Sequence, residues 1–230
     1  MHSLIEDDIV KRASALHATS AAEATALMDW GVPVINVPLG VRSLGYGQRN
    51  VEYDLLFYGR LASKKGLDLL LEALSVIPDA TLRVVGPSTP SALERYTLLA
   101  SRLGVSNRVV FDPPVFSDDD RKDVFASARL LVLPTKNENF GLSVYEAVGA
   151  GLPVISSEHL EGGEDLIQAG LLRIGPLDRL GLAEVIRAGL QDLQWQTNAA
   201  RLGPKFISER FSWARSAQLV GAAYAKFAQS

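Results

Sequence analysis

The sequence contains no cysteine, few histidines and no strong excess of charge of either sign. The lack of cysteine excludes disulfides, thiolate metal sites and a cysteine nucleophile, and it fits a reducing compartment. The three histidines, His2, His17 and His159, do not have the spacing of zinc ligands. A net charge of -3 without a long basic run argues against general binding of nucleic acid.

Long apolar runs are also missing. A signal peptide would need one near the N-terminus, and a membrane-spanning helix would need a longer one elsewhere. With 47% hydrophobic residues in a length of 230, the chain can still bury a full core. We therefore expect a soluble, globular, cytoplasmic protein with one large domain, or with one domain and an appendage.

From residue 54 onward, the sequence alternates short apolar runs rich in β-formers with amphipathic stretches. The predicted strands are residues 55–58, 82–85, 109–111, 130–133, 154–156 and 171–174. The predicted helices are residues 66–77, 91–103, 118–128, 141–150, 164–169 and 180–193. This alternation is typical of the α/β class and predicts a Rossmann-like parallel sheet with right-handed crossovers and helices on both faces.

Residues typical of helix starts support this assignment. Ser20 and Ser117 each stand three positions before an acidic residue, as in a capping box, and Asp178 precedes another helical run. We interpret the three aspartates at 118–120 as helix capping and solvation rather than as metal ligands. The glycine-rich stretch 38–50 predicts a linker.

After residue 193 the helical pattern loosens, and the next prediction is a last amphipathic helix introduced by the sequence FSW at 211–213. Its apolar residues recur at helical spacing and are Trp213, Ala217, Val220, Tyr224 and Phe227. An aromatic stripe of this kind predicts a core or domain contact rather than a cofactor site.

The most informative segment is residues 138–155, which read ENFGLSVYEAVGAGLPVI. It follows a predicted strand, so a helix should start near Phe140 or Gly141, with free N–H groups at the sheet edge where α/β proteins bind ligands. Glu138 precedes this helix and Glu146 lies about one and a half turns inside it, so the two carboxylates can accept hydrogen bonds from hydroxyls at opposite ends of an elongated ligand. The alternative is structural, with Glu138 at the helix dipole and Glu146 solvated.

A second segment, residues 59–66, reads GRLASKKG between a predicted strand and a predicted helix. Arg60 and Lys65 place two cations on one turn, which suits a pyrophosphate because arginine offers a planar fork of donors and lysine a compact charge. The alternative is that Lys64 and Lys65 are ordinary surface lysines at a helix start.

Together these segments resemble the GT-B glycosyltransferases, specifically the retaining family 4 or group 1 type. That family carries two glutamates with seven residues between them, a Gly-Arg-Leu loop with a Lys-Gly pair, and a C-terminal crossing helix often introduced by Phe-Ser-Trp. The resemblance implies one half of a GT-B fold, with Glu138, Arg60 and Lys65 as the catalytic residues. The donor-binding residues that it implies are Glu146, Asn139, Phe140, Gly141, Leu142, Gly59, Gly86, Pro114 and Val115.

One region departs from the family pattern. Residues 109–115 read VVFDPPV where the family has Phe-Leu-Gly-x-Val, a segment whose backbone reads the nucleobase. The two prolines remove two backbone donors, so the sequence does not predict which base is bound.

The resemblance also implies a domain organisation. The sequences HATSAAE at 17–23 and VPLGV at 37–41 are similar to the end of the family's acceptor domain and its hinge. Residues 1–37 would then be a remnant of that domain, 38–50 a linker, 51–211 the donor-binding domain and 212–230 the crossing helix.

The implied reaction transfers a glycosyl group from a nucleoside-diphosphate sugar to an acceptor hydroxyl with retention of configuration, as in polysaccharide biosynthesis, and needs no cofactor or metal. The implied partners are the nucleotide-sugar donor, a glycan or lipid-linked acceptor, and an acceptor domain or a separate acceptor-domain chain. We also expect self-association through exposed apolar surface, and a peripheral place at the inner membrane surface through the missing domain. The alternatives are a nucleotide-sugar-binding module without turnover of its own, and another enzyme of this architecture such as an epimerase or a dinucleotide oxidoreductase.

Overall fold

A computed structural model describes residues 9–42, 44–45 and 50–227. Parts of the predicted N-terminal remnant, linker and C-terminal helix fall at 1–8, 43, 46–49 and 228–230, outside the described residues. The described chain begins with a small unit in which helix α1 (Ala21–Met28) joins two parallel strands, β1 (Leu16–Ala18) and β2 (Val34–Asn36).

A six-stranded, fully parallel sheet follows, in the order β5-β4-β3-β6-β7-β8. Its strands are β3 (Tyr53–Tyr58), β4 (Leu82–Val85), β5 (Val109–Asp112), β6 (Ala128–Leu133), β7 (Val154–Ser156) and β8 (Leu172–Ile174). The predicted Rossmann-like sheet is confirmed. Its central strands β3 and β6 are buried on both faces, which explains their nearly continuous apolar sequence.

The helices connect these strands and cover the sheet. They are α2 (Leu67–Leu74), α3 (Pro90–Arg102), α4 (Asp118–Ala126), α5 (Leu142–Gly149), α6 (Glu164–Gln168), α7 (Arg179–Gln191), α8 (Leu193–Arg210) and α9 (Trp213–Phe227). Right-handed crossovers place α2 and α3 on one face and α4 and α5 on the other. On these two faces α7 packs against α2, and α8 packs against α5. Among the described helices, none combines the length and apolar character needed to cross a bilayer.

The predicted helix caps are confirmed. The Ser20 hydroxyl accepts a hydrogen bond from the Glu23 amide at 3.1 Å, and Ser117 accepts one from the Asp120 amide at 3.0 Å. Asp178 caps α7 in the same way at 2.8 Å. Each cap satisfies a backbone donor that the first helical turn would otherwise leave unpaired.

Helix α8 was not predicted, because proline and glycine in its sequence argue against a continuous helix. Pro204 lies inside it, where proline normally removes a backbone hydrogen bond. The preceding Gly203 lies so close to α5 that a Cβ there would overlap the Val148 carbonyl oxygen. Tight packing of α8 on α5, with Trp195 and Ile207 buried, therefore outweighs the weak local propensity.

The interpretation of the C-terminal aromatic stripe as core is wrong. Helix α9 has no buried residue, and Trp213 and Tyr224 are 60% and 71% exposed. The helix is instead attached at its start, where the Val41 amide donates to the Phe211 carbonyl at 2.6 Å and the Ser216 hydroxyl donates to the Pro38 carbonyl at 2.9 Å. The beginning of the predicted linker thus packs against the beginning of α9, and the domain-contact interpretation of the stripe stays a prediction.

Candidate functional site

The strand order reverses between β3 and β6, and open α/β sheets bind ligands in the crevice at such a switch point. The segments that follow these two strands meet there. The Lys136 amide donates to the Lys64 carbonyl at 2.7 Å, and the Thr135 hydroxyl donates to the same oxygen at 3.0 Å. Gly66 has a φ of 74°, and a Cβ on it would overlap the Pro134 carbonyl oxygen, so only glycine permits this approach.

The approach brings the two sequence motifs into direct contact, because the Lys65 ammonium forms an ion pair with the Glu138 carboxylate. The two side chains are only 13% and 17% exposed, so the interpretation of Lys65 as an ordinary surface lysine is wrong. The Glu138 backbone is fixed as well: its amide donates to the His159 carbonyl at 3.0 Å, and its carbonyl accepts from the Glu161 amide at 2.9 Å. An ammonium has three donors, so Lys65 can pair with Glu138 and still bind an anion.

Beside this pair begins helix α5. Gly141 caps it in the left-handed conformation, with a φ of 77°, and no side chain of the described residues caps the helix. The first two amides of α5, those of Leu142 and Ser143, are therefore available to a ligand, whereas the Val144 amide already donates to the Gly141 carbonyl at 2.8 Å. The Phe140 ring is buried and stacks on Tyr145 with centroids 4.4 Å apart, so its side chain packs against α5.

Glu146, inside α5, is the second predicted carboxylate, and its side chain is only 11% exposed. Burial raises the pKa of Glu146, while Arg121 opposes that shift by donating to its Oε1 at 3.2 Å. Burial, and then the charge of Glu146, also raise the pKa of Tyr58, the last residue of β3. The alternative of a solvated Glu146 is wrong.

Sequence reasoning missed the ionic contacts around Glu146. Arg121 also donates to Asp118 at 2.6 Å, and Asp118 pairs in addition with Arg42 from the predicted linker. The hydrogen bond from Arg42 lowers the pKa of Asp118, with a further contribution from Arg121. Asp118 lies in the first turn of α4, as predicted, and in addition forms ion pairs with two arginines. No local signal reveals this contact, because Arg42 and Asp118 are 76 positions apart.

The remaining predicted residues lie around the crevice. Arg60 is exposed directly after Gly59, and a Cβ on Gly86 would overlap the Gly59 carbonyl oxygen, so the turns after β3 and β4 are in backbone contact. Val115 is half-buried against the core. Next to these turns is a cavity of about 390 Å³, lined by Leu61, Val84, Gly86, Pro87, Ser88, Leu93, Phe111, Asp112, Pro113 and Pro114. It is a mainly apolar slot at the carboxyl ends of β4 and β5.

Asn139 is directed to the N-terminal unit. Its side-chain amide donates to the Thr19 hydroxyl at 3.0 Å, and its side-chain oxygen accepts from the Ser20 hydroxyl at 2.6 Å. Asn139 therefore ties the loop that carries Glu138 to the small β1–β2 unit. Within residues 9–42, 44–45 and 50–227, no three histidine or acidic side chains converge as metal ligands would.

Comparison with known sequences shows a family to which the chain is similar. The family model described as "Glycosyl transferases group 1" matches residues 52–192. The D-inositol 3-phosphate glycosyltransferase of Xylanimonas cellulosilytica is 33% identical over 183 residues, covering 75% of this chain and 42% of that protein. The enzyme of the same name from Streptomyces bingchenggensis is 40% identical over 114 residues, covering 45% of this chain and 25% of that protein. The chain thus spans less than half the length of these relatives.

Comparison with solved structures finds the same architecture. Sucrose-phosphate synthase from Thermosynechococcus elongatus superposes with a TM-score of 0.87 at 26% identity, over 99% of this chain and 62% of that one. HepE from Anabaena, solved in complex with UDP and glucose, superposes with a TM-score of 0.82 at 22% identity, over 96% and 66% of the two chains. Both likenesses extend over nearly all of this chain.

Proposed function

The chain belongs to the group 1 glycosyl transferases, and on that premise we propose that it supplies the donor-binding half of an enzyme. That enzyme would transfer a glycosyl group from a nucleoside-diphosphate sugar to an acceptor hydroxyl with retention of configuration. In this proposal residues 51–211 bind the donor, residues 38–50 are the linker, and residues 212–230 form the crossing helix. The observation that carries the proposal is the Lys65–Glu138 pair, a shielded cation beside an acceptor carboxylate at the switch point.

The chemistry follows from where charge develops. When the bond between the sugar C1 and the diphosphate oxygen breaks, negative charge grows on the departing diphosphate. Lys65, Arg60 and the first amides of α5 would stabilise this charge, and they supply the positive potential that a divalent ion supplies in other enzymes. We therefore expect transfer without a metal ion.

The two carboxylates would bind the hydroxyl groups of the donor. Ionised carboxylates are acceptors only, so they suit sugar hydroxyls and leave the diphosphate to the cations. We assign Glu138 to the transferred sugar because it lies beside Lys65, and Glu146, which lies inside α5 and pairs with Arg121, to the ribose. The apolar slot near Pro114 would then take the base. Neither glutamate is proposed as a nucleophile.

The proposed acceptor is a glycan or a lipid-linked alcohol, held by an acceptor domain or by a separate chain. The small unit of β1, α1 and β2 supports this part of the proposal. Parallel sheets normally have more strands and are covered on both faces, whereas the sheet of this unit has only two strands. The unit is attached to the donor site through Asn139, as a remnant of residues 1–37 from a larger acceptor domain would be.

The binding assignment is tested by calorimetric titration with uridine, guanosine and adenosine diphosphates. We expect at least one to bind, and we expect Lys65→Ala to weaken it by about 1.5 to 3 kcal/mol, the range for a hydrogen bond to a charged group. Lys122→Ala is the matched control, because Lys122 is an exposed lysine whose ion pair, among the described residues, is with Asp119 of its own helix, at 3.2 Å. Unchanged affinity in Lys65→Ala would show that the turn is misassigned.

The alternative function is a nucleotide-sugar-binding module without turnover of its own. It is favoured by the single Rossmann-like sheet of the described residues, because transfer requires donor and acceptor to be held together. We expect negligible transfer by this chain alone, and transfer with retained anomeric configuration, read by NMR of the product, when an acceptor domain is supplied. Robust transfer by the chain alone would contradict the first expectation, and an inverted product would contradict the second.

A further inference from the structure

Four charged side chains form a continuous row from the linker to the donor cleft. Arg42 pairs with Asp118, Asp118 pairs with Arg121 at 2.6 Å, and Arg121 pairs with Glu146 at 3.2 Å. The row joins three separate parts of the chain: the linker, helix α4 and helix α5. The reaction proposed above uses only its last member.

Of the two arginines in the row, Arg121 is the one that contacts both carboxylates, Asp118 and Glu146. Its Nη1 donates to Glu146 and its Nη2 to Asp118, so the planar guanidinium is fixed at both ends. The groups that face Glu146 electrostatically are Arg121 and Asp118 from α4 and Arg42 from the linker, and Tyr58 faces it from β3. Burial disfavours the charge of Glu146, and Arg121 is the nearest group that offsets this.

We propose that Arg121 is a positioning residue that keeps Glu146 ionised and oriented towards the donor ribose, and that Asp118 and Arg42 extend this control to the linker. The inference rests on the assignment of Glu146 to the ribose made above. The row would then have a second function, which is to couple the donor site to the linker. The linker is in turn bound to the start of α9 through Val41, the residue before Arg42. A shift of the linker would change the Arg42–Asp118 contact and, through Arg121, the geometry of Glu146.

The test compares ligands with and without a ribose. Calorimetry with the best-bound nucleoside diphosphate should show about tenfold or more loss of affinity in Arg121→Met, the size expected when a buried charge loses its partner. Affinity for inorganic pyrophosphate should stay within about twofold, because pyrophosphate has no ribose for Glu146 to bind. Losses for the nucleoside diphosphate should decrease along the row, from Arg121→Met to Asp118→Asn to Arg42→Gln.

A pH profile separates positioning from simple structural support. Without Arg121 the pKa of Glu146 rises further, so the affinity ratio of wild type to Arg121→Met should fall as the pH is raised from about 6 to 9 and Glu146 ionises again. In the double variant Arg121→Met/Glu146→Gln this pH dependence should disappear. Lys122→Met is the control for removing a positive charge from the same helix, and it should leave both affinities unchanged.

The outcomes are distinct. Equal losses for pyrophosphate and the nucleoside diphosphate, or an unchanged affinity in Arg121→Met, overturn this inference alone. If Arg121→Met does not fold, Asp118→Asn decides in its place, because it releases one end of the guanidinium at a side chain that is only partly buried. A wild-type chain that binds no nucleoside diphosphate overturns the proposed function, and this inference with it.

Discussion

Glu138 and Glu146 are two carboxylates of one motif, each paired with a cation and each largely shielded from water, yet the fold supports them differently. Glu138 lies in a loop and is fixed by backbone hydrogen bonds to the segment 159–161, and its cation comes from the turn after β3. Glu146 lies inside a helix, and its cation comes from the neighbouring helix α4. Burial raises the pKa of Glu146.

The difference shows that the cleft has two independently supported parts. The Lys65–Glu138 part depends on a close approach of two backbone segments, so it should be sensitive to small steric changes in those segments. The Arg121–Glu146 part depends on an ion pair between side chains of two helices, so it should be sensitive to charge and to pH. Changes that affect one part and spare the other test this division.

The largest expected effect is that of Gly66→Ala on the part around Glu138. A left-handed φ costs an alanine about 1 to 2 kcal/mol, and overlap with the Pro134 carbonyl oxygen should add about 1 to 3 kcal/mol of overpacking. The variant should therefore be less stable in urea denaturation, and it should bind pyrophosphate more weakly because Lys65 is displaced.

Gly31→Ala is the matched control for this prediction. Gly31 also has a left-handed φ, of 67°, but a Cβ there would meet no atom within 4 Å. It should show only the conformational cost and no loss of pyrophosphate affinity. Equal destabilisation by the two substitutions would contradict the close approach at Gly66.

Much of the fold is predictable from the sequence because its signals are local. The strand predicted at 154–156 coincides with β7, and that at 82–85 with β4, since buried parallel strands are short apolar runs between turns. Helix α8 was missed because its packing on α5, and not its own sequence, stabilises it. Of the two roles predicted for the apolar face of α9, core or domain contact, only the core role is wrong, because helical spacing of apolar residues does not indicate what covers them.

The site is predictable only in part, for a similar reason. The glutamates, Lys65 and Gly141 are recognisable because they belong to short motifs next to a strand end. Arg121 and Asp118 belong to no motif, and the partner of Asp118 comes from a distant part of the chain, so only the folded structure reveals their contact with Glu146. The same holds for Asn139, whose partners Thr19 and Ser20 are more than a hundred positions away.

The smaller effect, and the most direct comparison, is that of replacing each glutamate with glutamine. Glu138→Gln should weaken a nucleoside-diphosphate sugar by about 1.5 to 3 kcal/mol while leaving the nucleoside diphosphate bound as well or better, because the sugar loses an acceptor and Lys65 loses its anionic partner. Glu146→Gln should weaken both ligands to the same extent, because both contain the ribose. Calorimetry of the two ligands with each variant measures the four affinities, with the wild type as reference.

The opposite pattern, in which Glu146→Gln discriminates between the ligands and Glu138→Gln does not, would reverse the assignment of the two carboxylates while leaving the cleft in place. Equal losses for both ligands in both variants would instead mean that the two glutamates act as one unit, and the division of the cleft into two parts would be wrong.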